Sequence, residues 1–173
     1  VFDRRSGCAR RAESLASPNA GPESGPVGLF SSRPLSPGEP APDFELTDQN
    51  GETVRLSALR GHSNIVLFFY PKDDTPVCTQ EACMFRDNYD GMKDADAVVL
   101  GVSSDDAASH RSFAKKHELP FPLLSDPSGE VRKKFGVPNT LGVLPGRVTF
   151  VIDKGGIVRH VTNSQLSAKK HVD

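Results

Sequence analysis

The feature that most constrains the fold is the run Ile65-Val-Leu-Phe-Phe-Tyr70, six apolar residues with no polar interruption. Alternating residues would mark a strand with one wet face. An unbroken run this short marks a strand buried on both faces, the kind found at the centre of a sheet covered by helices. The run ends in the turn Pro71-Lys-Asp-Asp-Thr75, and a helix start follows. Thr75 suits the N-cap and Pro76 the first helical position, which puts Cys78 in the first turn. Unpaired N–H groups and the positive end of the helix dipole there favour a thiolate over a thiol, and the thiolate is the nucleophile. An inert buried thiol is the plainer alternative for any cysteine, but placement at a helix start argues for a reactive one.

Cys83 follows five residues later. On one continuous helix, at about 1.5 Å and about 100° per residue, its Cα stands roughly 8 to 9 Å from that of Cys78. A disulfide needs less than about 7 Å. A bond between the two sulfurs would therefore require the first turn and a half of the helix to unwind.

The chain around this stretch has 173 residues, 36% hydrophobic and 25% charged, a globular composition long enough for one domain and short for two. A net charge of −1 gives no electrostatic case for nucleic acid or an acidic membrane surface, and no apolar run approaches the roughly 20 residues of a membrane helix. Residues 1–36 differ from the rest: Arg4, Arg5, Arg10, Arg11 and Arg33 stand among Ser, Pro and Gly without a lysine. Such a segment buries too little apolar area to offset its ordering entropy and is expected to be disordered. It fits the remnant of an organelle transit peptide and equally a plain flexible tail. Cys8 lies in it with no partner nearby.

From residue 37 to 173 the pattern is that of one α/β domain. Phe44 and Leu46 alternate with polar neighbours, Asp48-Gln-Asn-Gly51 is a turn, and Thr53-Val-Arg-Leu56 pairs back, an N-terminal hairpin suited to covering a sheet edge. The cysteine helix is expected from about Pro76 to Lys93, burying Phe85 and Tyr89. Ala97–Val102 is a second apolar strand, followed by a helix that Asp106 opens and His117 closes; strand, helix, strand, helix implies parallel pairing. Phe121–Leu124 is extended and Gly129–Phe135 a short helix closed by Gly136. Arg147–Ile152 and Ile157–Val161 flank Asp153-Lys-Gly-Gly156 as an antiparallel hairpin. This order predicts a thioredoxin-like fold, a mixed central sheet flanked by helices. Three cysteines do not make a secreted disulfide framework. The five histidines, His62, His110, His117, His160 and His171, lack the short pairs of a zinc site and read as surface residues with no metal or catalytic part.

The segment Pro71-x-x-x-Thr75-x-x-Cys78, with Cys83 five residues on and Gly146-Arg147-Val-Thr-Phe-Val-Ile-Asp153 later, resembles the peroxiredoxins, and within them the peroxiredoxin Q or bacterioferritin comigratory protein group. The likeness covers roughly residues 38–173. It implies the same thioredoxin-like fold and a final helix, begun at Ser167–Asp173, that the family continues for about three turns; stopping here would leave part of one sheet face uncovered. It also implies a mechanism: Cys78 reduces a hydroperoxide and becomes a sulfenic acid, Cys83 resolves it to a disulfide, and thioredoxin restores both thiols, with no metal or organic cofactor. Arg147 and the Thr75 hydroxyl would hold the peroxide and Pro71 would shield the thiolate. A guanidinium suits that place because it stays charged and offers several fixed donors. Glu81 either orients the arginine or is a solvated helix residue. The resemblance further implies a monomer and, from plant and algal members, a plastid location. Two other functions compete: a general disulfide oxidoreductase, against which the four residues between the cysteines argue, and a redox-switched chaperone or binding module without turnover.

Overall fold

In the computed structural model, which describes residues 33–140, 144–165 and 167–172, the apolar run forms the middle of the sheet. In chain order the elements are β1 (Glu45–Asp48), β2 (Thr53–Arg55), α1 (Leu56–Leu59), β3 (Asn64–Phe69), α2 (Pro76–Asp87), α3 (Tyr89–Asp94), β4 (Ala97–Ser103), α4 (Ala107–Lys116), β5 (Leu123–Ser125), α5 (Glu130–Lys134), β6 (Asn139–Thr140), β7 (Leu144–Pro145), β8 (Val148–Ile152), β9 (Val158–Asn163) and α6 (Lys169–Val172). Seven strands pair in the order β2-β1-β5-β4-β3-β8-β9, while β6 and β7 form a separate ribbon. β3 runs parallel to β4 and antiparallel to β8. The N-terminal hairpin extends the sheet through the antiparallel pairing of β1 with β5. This is the thioredoxin-like arrangement with its added hairpin.

Successive residues of β3 feed two separate cores. Ile65, Leu67 and Phe69 pack with Val131 and Phe135 from around α5 and with Phe150 of β8. Val66, Phe68 and Tyr70 pack with Cys78, Ala82 and Phe85 of α2 and Phe113 of α4. The two-residue period of a strand sends alternate side chains to opposite faces, so an unbroken apolar run is what helices on both faces require. Phe68 stacks on Phe85 at 4.6 Å between ring centroids, which clamps the cysteine helix to the central strand. Across the ladder from Phe68 stands Gly101. A Cβ there would come within 2.7 Å of the Phe68 ring and 2.8 Å of Leu123, so glycine makes the room that the ring occupies.

Four differences from the sequence expectations have physical causes. The cysteine helix is two helices: Asn88 (φ −103°, ψ 8°) leaves the helical region, and its amide donates to Met84 O at 2.8 Å. That side-chain bond competes with the backbone ladder; Phe85 is fully buried on α2 as expected, while Tyr89 begins α3 and is half-buried. Arg33 to Ser36, assigned to the extension, lie on the domain: Leu35 N–H donates to Phe135 O, and Leu35 packs against the core. The remainder of that segment, with Cys8, lies outside the described residues. His110 and His171 are buried, contrary to their reading as surface residues. Both find hydrogen-bond partners inside, which is what lets an imidazole leave water.

Candidate active site

The turn after β3 is held from several directions before it delivers the helix. Asp74 adopts φ 56°, a left-handed conformation that Asp tolerates better than most residues, with its carboxylate on Lys116 and within reach of His117. Asp73 is buried: it accepts from Tyr70 OH at 2.7 Å and Ser109 Oγ at 2.7 Å, lies 2.9 Å from His110 Nδ1, and its N–H donates to Asp105. Pro71 is half-buried in this turn. Thr75 occupies the N-cap position in extended conformation, but its hydroxyl donates to Lys72 O instead of accepting from the first helical turn. The N-cap role is carried by its carbonyl, which accepts from Thr79 N–H.

Pro76 then opens α2, and Cys78 is the third helical residue, 2% exposed. Arg147 Nη2 lies 3.0 Å from Cys78 Sγ. The residues 146–147 that deliver this guanidinium enter from the β6–β7 ribbon, where the backbone is crowded: a Cβ on Gly146 would stand 2.1 Å from Pro138 O. Gln165 brackets the Arg147 backbone, accepting from its N–H at 3.1 Å and donating to its C=O. The other arm of the Arg147 guanidinium is ion-paired with Glu81, and both side chains are buried. Burial pushes the Glu81 carboxyl up to about 7, against the opposing charge and hydrogen bond of Arg147. Of the two readings of Glu81, the one that orients the arginine is the one the structure supports.

Cys83 lies on the same unbroken helix, half-buried, and both cysteines are free. The structure thus brings Cys78, Arg147 and Glu81 into contact, sets Pro71 and Thr75 in the turn before them, and leaves Cys83 apart. Three residues escaped the sequence reading. Arg132 is buried, donating to Tyr70 O at 2.8 Å and Gly146 O at 2.7 Å, so one side chain ties the end of the central strand to the arginine-bearing loop. Burial pushes its guanidinium down to about 10 while Asp126, Cys78 and Tyr70 pull it up. His171, from α6, approaches Glu81 Oε1 at 3.5 Å. Gln165 is the third. Arg132 sits in an Arg-Lys-Lys run that looks like a solvated helix face, and the partners of His171 and Gln165 are remote in sequence, so no local signal pointed to them.

Chemically, a thiol at a helix start beside a guanidinium with further donors is an arrangement for a nucleophile that attacks an oxygen and leaves charge behind. Known proteins agree with that reading. The AhpC/TSA family model matches residues 37–161. The chain is 53% identical over 139 residues to chloroplastic peroxiredoxin Q of Triticum aestivum and 51% identical over 140 residues to that of Arabidopsis thaliana, in each case covering 80% of this chain and 64% of the relative. The chain thus spans a little under two thirds of the length of these relatives. The crystal structure of peroxidoxin BcpB from Mycobacterium tuberculosis superposes with a TM-score of 0.73 at 41% identity, over 79% of this chain and 91% of that one. The bacterioferritin comigratory protein of Xanthomonas campestris, studied for its alkyl peroxide reduction activity, superposes at 0.68 and 33% identity, over 75% and 85%. On motif, fold and site together, the chain belongs to the AhpC/TSA family, in its peroxiredoxin Q group.

Proposed function

We propose that the chain is a thiol peroxidase that reduces hydrogen peroxide and organic hydroperoxides through Cys78. The observation that carries this reading is Arg147 Nη2 at 3.0 Å from a sulfur in the first turn of α2. Cys78 thiolate attacks the terminal oxygen of the hydroperoxide; the S–O bond forms as the O–O bond breaks, and the departing oxygen leaves with the electron pair and takes a proton. Arg147 and N–H groups at the start of α2 stabilise that charge, while Thr75 and Pro71 shape the mouth. The product is a sulfenic acid.

Cys83 then attacks that sulfur, an S–S bond forms and water leaves. Because α2 holds the two cysteines on one helix, the first turns must unwind for this step, which also pulls Glu81 from Arg147. Thioredoxin is the reductant: its dithiol exchanges with the Cys78–Cys83 disulfide and is itself oxidised. Residues 37–173 form the peroxidase domain, which acts as a monomer, and the chloroplastic relatives support the plastid as its location.

The test is hydroperoxide consumption in a coupled assay with thioredoxin, its reductase and NADPH. The chain turns over, Cys78→Ser does not, and Cys83→Ser completes one turnover and leaves a sulfenic acid that dimedone traps. A Cys83→Ser variant that cycled normally with thioredoxin would remove Cys83 from the resolving role. Absence of turnover by the wild type would leave a redox-switched binding module as the reading.

A further inference from the structure

Glu81 Oε1 is a buried carboxylate oxygen with no hydrogen-bond partner. Facing it at 3.5 Å is His171 Nδ1. His171 Nε2 lies 2.7 Å from the carbonyl of Ser164, an acceptor only, so the ring carries its proton on Nε2 and turns a lone pair towards Glu81. Thr149 Oγ1, 2.8 Å from the same Nδ1, competes for that lone pair with its hydroxyl. An ionised Glu81 would therefore hold lone pair against lone pair in a dry site, an arrangement that one proton relieves.

We propose that Glu81 and His171 form a proton-holding pair that sets how much of the Arg147 charge acts on Cys78, making His171 a positioning residue for the peroxidase reaction. The inference rests on the peroxidase reading only for its catalytic consequence. With one proton the pair is neutral, whichever atom carries it, and the Arg147 guanidinium acts undivided on sulfur and peroxide. Without that proton the pair bears one negative charge and draws the guanidinium to itself. Arg147 is thus one cation between two acids. The charged and titratable groups around the pair are Arg147 at the head of β8, Cys78 on α2, and His160 of β9 and Lys170 of α6, which line with His171 a pocket of about 290 Å³. Burial and the Arg147 charge lower the His171 pKa, which leaves the proton to the carboxyl.

The carboxyl band of protonated Glu81 in infrared difference spectra reads this directly and needs no turnover. In the wild type the band should disappear with a midpoint at about 7, and Glu81→Gln should lack it. His171→Leu removes the acceptor of the proton and should move the midpoint about one pH unit towards acid. Thr149→Val keeps His171 and removes its competitor, so the midpoint should move the opposite way. A loosened α6 would not produce shifts of opposite sign. The rate of Cys78 oxidation in single turnover should fall on the alkaline side of the same midpoint and follow it in each variant. The proposal is overturned if the band is absent at every pH, if the two variants leave it unmoved, or if they shift it in the same direction. A chain that consumes no peroxide but shows the opposed shifts would keep the proton pair and lose the peroxidase reading.

Discussion

Asp73 stands just before α2 and Glu81 within it; both are buried carboxylates, and the structure treats them differently. Asp73 is surrounded: Tyr70, Ser109 and His110 meet its oxygens, and Asp105 receives its N–H. Burial pushes its carboxyl up, but the bonds from His110, Tyr70 and Ser109 outweigh that and hold it below its ordinary 3.8. Glu81 has Arg147 on one oxygen and no hydrogen bond on the other, and Arg147 Nε is itself without one. Burial wins there. A saturated cluster fixes the turn that aims the helix, whereas an unsaturated one leaves donors and charge for a substrate. The difference separates rigidity from reactivity within ten residues of chain.

Removing Arg147 should have the largest effect. Arg147→Ala takes away the donor beside Cys78 and should slow single-turnover oxidation by roughly 100- to 1,000-fold, the range for losing one preorganised donor to developing charge. Stopped-flow measurement with hydrogen peroxide reads it, and an unchanged rate would take Arg147 out of the site. Its cost in stability should be smaller than that of Glu81→Ala, because Glu81 can neutralise itself by taking up a proton while a stranded guanidinium cannot.

The second test sets the two carboxylates against each other by isosteric change. Asp73→Asn brings an NH2 among groups that donate to it and should cost about 3 kcal/mol in urea unfolding at pH 7. Glu81→Gln stays neutral where the native side chain is forced to ionise, and should cost less than about 1 kcal/mol or stabilise. Equal losses would erase the distinction between the clusters.

Their pH dependences should also run in opposite directions. The Glu81 carboxyl is raised in the fold from 4.5 to about 7, so its contribution is fully present below 4.5 and is lost as pH rises through 7, on the order of 3 kcal/mol. Asp73 is depressed, so its contribution is present above 3.8 and lost as pH falls through its folded value. Unfolding free energies at a series of pH values, wild type minus Glu81→Gln, should therefore decline from pH 4.5 to 7. A flat difference would mean that Glu81 is not held protonated.

How much of this was legible beforehand follows the range of the interactions. The central strand, the turn, the helix start and the hairpin are local patterns, and Ile65–Tyr70 and Asp106 stood where periodicity and capping put them. Cys78 and Arg147 were legible because each lies in a motif. The break at Asn88 was not, because an amide that bonds back to Met84 looks in sequence like any polar helix residue. Arg132, His171 and the fate of Glu81 were illegible for a stronger reason: burial of a charged side chain is decided by partners 62, 22 and 66 residues away. Composition alone assigns such residues to the surface.

The smallest expected effect falls on Cys83, and it sharpens the comparison by separating α2 as a fold element from α2 as a moving part. Cys83 is half-buried and free, on the helix whose buried face is Cys78, Glu81, Ala82 and Phe85. Replacing its sulfur by a hydroxyl removes little apolar contact, so Cys83→Ser in the reduced protein should change unfolding free energy by less than about 1 kcal/mol. Oxidation is where the two proteins part. The wild type treated with peroxide must open the first turns of α2 to bring the sulfurs within bonding distance, and its amides from Cys78 to Ala82 should lose protection from hydrogen exchange. Under the same treatment Cys83→Ser should keep that protection while carrying the sulfenic acid, because nothing draws Cys78 out of the site. If the wild type kept those amides protected while mass spectrometry showed Cys78 joined to Cys83, the helix would not be the barrier its geometry implies.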